Sequence, residues 1–353
     1  MSTGLRRGDR GPAVAEVRTR LDQLGLHAGV PRGDPLEFDD ALDRAVRAFQ
    51  QERGITVDGI VGPHTFRRLE EARWQLGDRV LSYVPGHLMA GDDVTELQRR
   101  LNQLGFAAGR ADGLFGVQTD AALREFQKGV GVDADGTCGP DTFRAFDRLV
   151  RTISGGNAAS LREQVTLTEL QSGVADKVVV LDPGDTVDAD LCHSIAVRIE
   201  GRLAALGTQV LLTRPAHREA GTEFPDDPAR AQFANETGAD LVVSLHVDRV
   251  ASPLPNGLVT FYFGDPRGGT YSPSGRILAE RVQEELHART DLLDCHSHPR
   301  TWDLLRLTRM PAVRVELGYL SNEADERRLT SPAFQDTVAD GIAAAVTAFC
   351  APR

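Results

Sequence analysis

Three short apolar runs end on side chains that can carry protons or donate to a metal: Asp182 in VVLDPG, His246 in DLVVSLHVD and Glu316 in AVRVELGYL. The first run leads through Pro183-Gly184 into an acidic turn, DTVDAD, which holds Asp185, Asp188 and Asp190. Each group also has a plainer role. His246 can be a strand-end histidine bonded to its neighbours, Asp182 can brace its turn by accepting backbone N–H groups, and Glu316 can be a carboxylate in a polar cleft. A second cluster of donors, Cys295, His296 and His298 in DCHSHPR, falls on what reads as a loop. Its spacing matches no standard zinc pattern and no fourth partner is evident, so it reads as solvated. Cys192-His193 lies on the helix after Asp190 without an assigned role.

Positioning such residues needs a scaffold, and the C-terminal half supplies one. KVVVLD, TQVLLTR, DLVVSLHVD, GLVTFYFG and AVRVELGYL are strand-like, and helical stretches at 190–206, 228–237, 274–290 and 333–349 lie between or after them. This alternation predicts an α/β domain with a mostly parallel sheet flanked by helices. Chemistry in such a sheet gathers at the carboxyl ends of its strands, where Asp182, His246 and Glu316 fall.

The N-terminal half is built differently. VAEVRTRLDQLG (14–25) repeats as VTELQRRLNQLG (94–105), and AFQQERGITVDGIVGPHTF (48–66) as EFQKGVGVDADGTCGPDTF (125–143). Apolar residues at helical spacing, Val14, Val17, Leu21 and Leu24, recur as Val94, Leu97, Leu101 and Leu104. Each unit therefore predicts a small three-helix bundle: a helix stopped at Gly25 or Gly105, a second over 39–53 or 118–129, and a short third after Gly62-Pro63 or Gly139-Pro140. The expected organisation is repeat 1 at 5–75, repeat 2 at 84–150, a Gly/Ser-rich linker at 151–176 and the α/β domain at 177–351.

Charge narrows the partners. At 353 residues the chain is long enough for two or three domains, and its net charge of −11 disfavours nucleic acid and anionic lipid. No apolar run approaches a membrane span, and MSTGLRRGDRGPAVAEV has no apolar core of a secretory signal, which places the expected site of action in the cytoplasm. The four scattered cysteines read as reduced thiols, which agrees.

Through QxxLxxLG, the AFQ or EFQ turn and D-G-x-x-G-P-x-T-F, each N-terminal unit resembles the type-1 peptidoglycan-binding domain. The C-terminal domain resembles the zinc-dependent type 3 N-acetylmuramoyl-L-alanine amidases through VVLDPG, TQVLLTR, RAQFANETGADLVVSLHVD, NGLVTFYF and LLRLTRMPAVRVELGYLSNEAD, in that order. The resemblance implies three zinc ligands, a histidine after Asp-Pro-Gly, a glutamate opening the next helix and the histidine of S-L-H, with the glutamate of V-E-L-G as general base. Such a site hydrolyses the amide between the lactyl group of N-acetylmuramic acid and L-alanine, using a zinc-activated water. Here Asp185 stands where the first histidine is expected, the intervening glycine-rich loop is missing, and Asp188 follows as the nearest counterpart of the glutamate. His246 and Glu316 match the third ligand and the base. Arginines near Glu316, among them Arg306 and Arg309, read as a solvated face or as holders of stem-peptide or phosphate groups.

Two functions follow. One is a zinc amidase of peptidoglycan or muropeptides, with Glu316 as base and His246, Asp185 and Asp188 as an altered ligand set. The other is a catalytically inactive cytoplasmic regulator that binds a wall precursor or a precursor-synthesis enzyme, as the TWDLLRLTRMP segment and tandem repeats imply by resembling a CwlM-like actinobacterial subgroup.

Overall fold

The computed structural model describes residues 4–26, 34–149, 167–184, 189–215, 224–265 and 270–352. They fall into a helical unit and an α/β unit, taken separately here.

In the helical unit the first repeat forms α1 (Pro12–Gln23), α2 (Asp40–Glu52) and α3 (Pro63–Ala72), and the second forms α4 (Asp92–Gln103), α5 (Val117–Val130) and α6 (Pro140–Leu149). The helical spacing read from the sequence becomes two cores, one containing Val14, Val17, Leu21, Leu42 and Phe49, the other Val94, Leu97, Leu101, Leu123 and Phe126. Gly25 and Gly105 follow α1 and α4 at φ 76° and 89°, a left-handed turn that side chains resist.

A buried glutamine organises the Asp-Gly turns. Gln127 Nε2 lies 3.0 Å from Asp135 Oδ1, 3.0 Å from Thr137 O and 3.2 Å from Thr142 Oγ1, while its Oε1 accepts from Gly136 N at 2.9 Å. Gln50 makes the same clamp with Asp58, Ile60, Thr65 and Gly59, and Gln98 makes it with Asp112, Leu114, Thr119 and Gly113. Arg18 stands at the position of Gln98 in the first repeat and bonds Glu37 O and Asp39 Oδ1 instead. Asp, Gly and Thr of the repeat signature are thus engaged within the fold.

The α/β unit runs β1 (Val178–Pro183), α7 (Ala189–Ala204), β2 (Gln209–Leu212), α8 (Asp227–Glu236), β3 (Leu241–Asp248), β4 (Leu258–Asp265), β5 (Thr270–Tyr271), α9 (Pro273–Arg289), β6 (Asp294–Arg300), α10 (Asp303–Leu307), β7 (Ala312–Tyr319), α11 (Glu323–Leu329) and α12 (Pro332–Cys350). Helix starts follow local chemistry: Asp226 and Ser272 accept the N–H groups of Ala229 and Gly275, each beside a proline in the first turn. The seven strands form one sheet in the order β2-β1-β3-β7-β4-β5, with β6 also on β4. Among the described residues the sheet is mixed, with four of its six pairings parallel and β4 antiparallel to β7 and to β5. DCHSHPR, expected as a loop, is strand β6 beside β4, with a register shift and His296 at φ 62°. Its polar composition hid it, and the break in pairing explains how so polar a run is accommodated.

One sheet face is apolar. Leu181, Val243, Leu245, Val313 and Val315 pack there with residues of α7, α9 and α12, and Leu167, Leu170 and Val174 join the same core although they precede β1 in the stretch expected as linker. Residues 151–166 of that stretch lie outside the described residues.

Candidate functional site

Alternation along a strand sends every second side chain to the other face, and here that face is polar. Strand register lines up Asp182, Ser244, Arg314, Phe261 and His298 across β1, β3, β7, β4 and β6. The next row brings His246 beside Glu316. The two residues matched to ligand and base are therefore neighbours on adjacent parallel strands. Asp185 and Asp188 lie outside the described residues.

Hydrogen bonding fixes the state of His246. Fully buried Asp182 accepts the hydroxyls of Thr213 (2.6 Å) and Ser244 (2.5 Å). Having given its one hydrogen to Asp182, Ser244 must accept from His246 Nε2–H at 2.8 Å. Nδ1 then carries a lone pair, buried and without a partner among the described residues. Burial, with Arg314, Arg230 and Arg214 around the ring, holds the imidazole well below its usual pKa, so it is neutral at neutral pH. Glycine at 184 leaves room beside it: a Cβ there would lie 2.6 Å from Nδ1.

Arginines fill the rest of the site. Buried Arg214 donates to Pro183 O (2.8 Å), Gly184 O (2.7 Å), Ala189 O (2.7 Å) and Pro215 O (3.1 Å), spanning both ends of the acidic turn. Arg230 reaches Asp182 at 3.5 Å and pairs with Asp227. Arg314 grips Glu316 Oε1 through Nε (2.8 Å) and Nη2 (2.6 Å), leaving Oε2 buried without a donor. Of the arginines singled out near Glu316, Arg306 pairs with buried Asp303 and the backbone N–H of Arg309 bonds Asn235, so Arg314 is the cation at the carboxylate. The alternation within AVRVELGYL, which puts residues 314 and 316 on one face, was the available signal. Arg214 and Arg230 stand at the ends of TQVLLTR and RAQFANETGADLVVSLHVD, and nothing in those motifs tied either to the site. Cys295, His296 and His298 do not converge: His296 Nδ1 meets Asp294 and His298 Nε2 meets Cys295 O.

This polar row on a helix-flanked sheet, with paired helical repeats in the other unit, has the form of a wall-amidase domain carried with peptidoglycan-binding modules. The N-acetylmuramoyl-L-alanine amidase family matches residues 176–348, and the peptidoglycan binding domain family matches 10–69 and 90–146. The N-acetylmuramoyl-L-alanine amidase CwlM of Mycobacterium tuberculosis is 44% identical over 97% of this chain and 88% of its own length. An uncharacterized cell wall amidase of Bacillus anthracis is 29% identical over 52% of this chain and 38% of its own. A solved amidase from Clostridium difficile 630 aligns with 50% of this chain and 97% of its own at a TM-score of 0.45 and 24% identity. The chain belongs to the N-acetylmuramoyl-L-alanine amidase family and, within it, is CwlM-like.

The family resemblance implies zinc, and of the three donors matched to it the described residues include His246 alone. Among them no three His, Cys, Asp or Glu side chains converge to hold a metal. Glycine at 184 leaves the space beside the free nitrogen of His246 without a side chain, and Glu316 is held by a guanidinium. A catalytic zinc needs three donors and an open position for water, whereas Arg214, Arg230 and Arg314 already supply positive charge around His246.

Proposed function

We propose that the amidase-type domain is a recognition module for peptidoglycan fragments or wall precursors and does not hydrolyse them. The observation that carries the reading is the double grip of Arg314 on Glu316. A general base must offer its carboxylate to water, and here a guanidinium occupies Oε1 and leaves Oε2 alone to accept a proton. In this reading the protein works in the cytoplasm as a regulator of precursor synthesis, through a precursor or an enzyme that makes one. Free, buried Cys138 and Cys350 suit a reducing compartment.

The test is metal content and turnover of the full chain. Zinc well below one per chain is expected, with no release of stem peptides from peptidoglycan and no change in Glu316→Ala. One tightly held zinc per chain together with Glu316-dependent release would overturn the reading.

A further inference from the structure

Beyond Glu316 the polar face continues into a stack of aromatic rings and guanidiniums. Arg314 lies over the indole of Trp302 at 4.4 Å, Trp302 meets Phe261 edge-on with centroids 4.7 Å apart, and Arg300 lies over Phe261 at 5.1 Å. Strand register accounts for the juxtaposition: Phe261 faces Arg314 on one side, and its neighbour two residues on, Phe263, pairs with Arg300 on the other.

Three groups in this stack lack the partner their chemistry calls for. Arg300 is partly buried, and among the described residues it bonds only the carbonyl of Pro299 at 2.9 Å, with no carboxylate beside it. That is anomalous in a chain with 51 acidic against 40 basic residues, since an unpaired cation out of water is costly. Desolvation alone lowers its pKa, with no opposing contribution from a neighbouring acid. Among the described residues the indole N–H of Trp302, a residue only 9% exposed, has no acceptor, and Glu316 Oε2, on a residue 8% exposed, has no donor.

We infer that Arg300, Trp302 and Arg314 form an anion subsite beside Glu316 that takes the free carboxylate of a peptide, with a neighbouring amide N–H of that peptide bonding Glu316 Oε2. The inference deepens the proposed recognition function and rests on it. Charge selects the carboxylate over phosphate. Two guanidiniums against one glutamate leave a single uncompensated positive charge, matched by a monoanion and exceeded by a dianion. The aromatic floor accepts the peptide's apolar atoms, and the idle oxygen of Glu316 asks for a donor close to the anion, which a phosphate ion does not bring.

The experiment is calorimetric titration of the full chain with D-lactoyl-L-alanyl-D-isoglutamine, which carries one free carboxylate, and with the same peptide amidated at that carboxyl. Amidation is expected to weaken binding roughly 10- to 100-fold, the loss of a charge-assisted pair. Arg300→Met should lose as much and no longer tell acid from amide, while melting at or above the wild-type temperature because an unpaired cation has been removed. Arg300→Lys, which keeps the charge without the fork, should recover part of the affinity, and Trp302→Phe should bind more weakly than wild type. Equal discrimination by wild type and Arg300→Met would overturn the subsite while leaving fragment recognition standing. Binding of neither peptide would overturn both. Inorganic phosphate displacing the peptide at comparable concentration would overturn the carboxylate assignment, and a sharply lower melting temperature of Arg300→Met would make Arg300 a structural residue.

Discussion

Replacing Arg214 tests what secures the turn between β1 and α7. Its guanidinium donates to four backbone carbonyls at 2.7–3.1 Å, is 2% exposed and lies over the ring of Phe224 at 4.5 Å. Charge-assisted bonds contribute about 1.5–3 kcal/mol each, which gives a gross figure of at least ~6 kcal/mol for four. Keeping the guanidinium out of water offsets part of that, and removing one partner of such a buried network costs about 3–5 kcal/mol net. For a domain of this size Arg214→Ala should therefore lower the melting temperature by roughly 10 °C. The chain has two tryptophans, so a Trp74→Phe background lets Trp302 fluorescence report urea unfolding of the α/β unit alone. Arg214→Lys should restore only part of the loss, because a point charge cannot reach carbonyls arranged around a planar fork. Chelator should leave the wild-type midpoint where it is. A loss below about 1 kcal/mol for Arg214→Ala would refute this reasoning, as would a chelator effect as large as the mutation.

Gln98→Ala removes one complete clamp from the second repeat, including the acceptor of Gly113 N–H, and should destabilise the helical unit by about 2–4 kcal/mol in urea unfolding followed by circular dichroism. Asp135 has a carboxyl held below its ordinary value, chiefly by the Thr137 N–H, with opposing desolvation outweighed by that bond and by Gln127. A depressed carboxyl stabilises the fold above its unfolded pKa and loses that contribution as pH falls through its folded value. Melting of the second repeat should accordingly decline below about pH 4, and Asp135→Asn should flatten the decline.

Legibility in the sequence tracked how local the responsible physics is. The helices of both repeats could be read from apolar periodicity and from Gly25 and Gly105, because those signals act within a few residues. Strands β1 to β4 and β7 could be read from β-branched runs. Strand β6 could not, since its residues are polar and its pairing is supplied by β4. In the site, Asp182, His246 and Glu316 stood out by residue type at strand ends. The cations could not be placed, because Arg214 meets Gly184 and Arg230 meets Asp182 across more than one element, and only the folded chain makes them neighbours.

The clamps of Gln50, Gln98 and Gln127 direct the most recognisable letters of each repeat inward. A chain that keeps those letters advertises that it can fold, and the advertisement says nothing of what its outside touches. Exposed positions such as Val57 and Val117 can change without disturbing a single bond of the clamp. Modules of one pedigree can in this way diverge in what they grasp while their signatures stay alike.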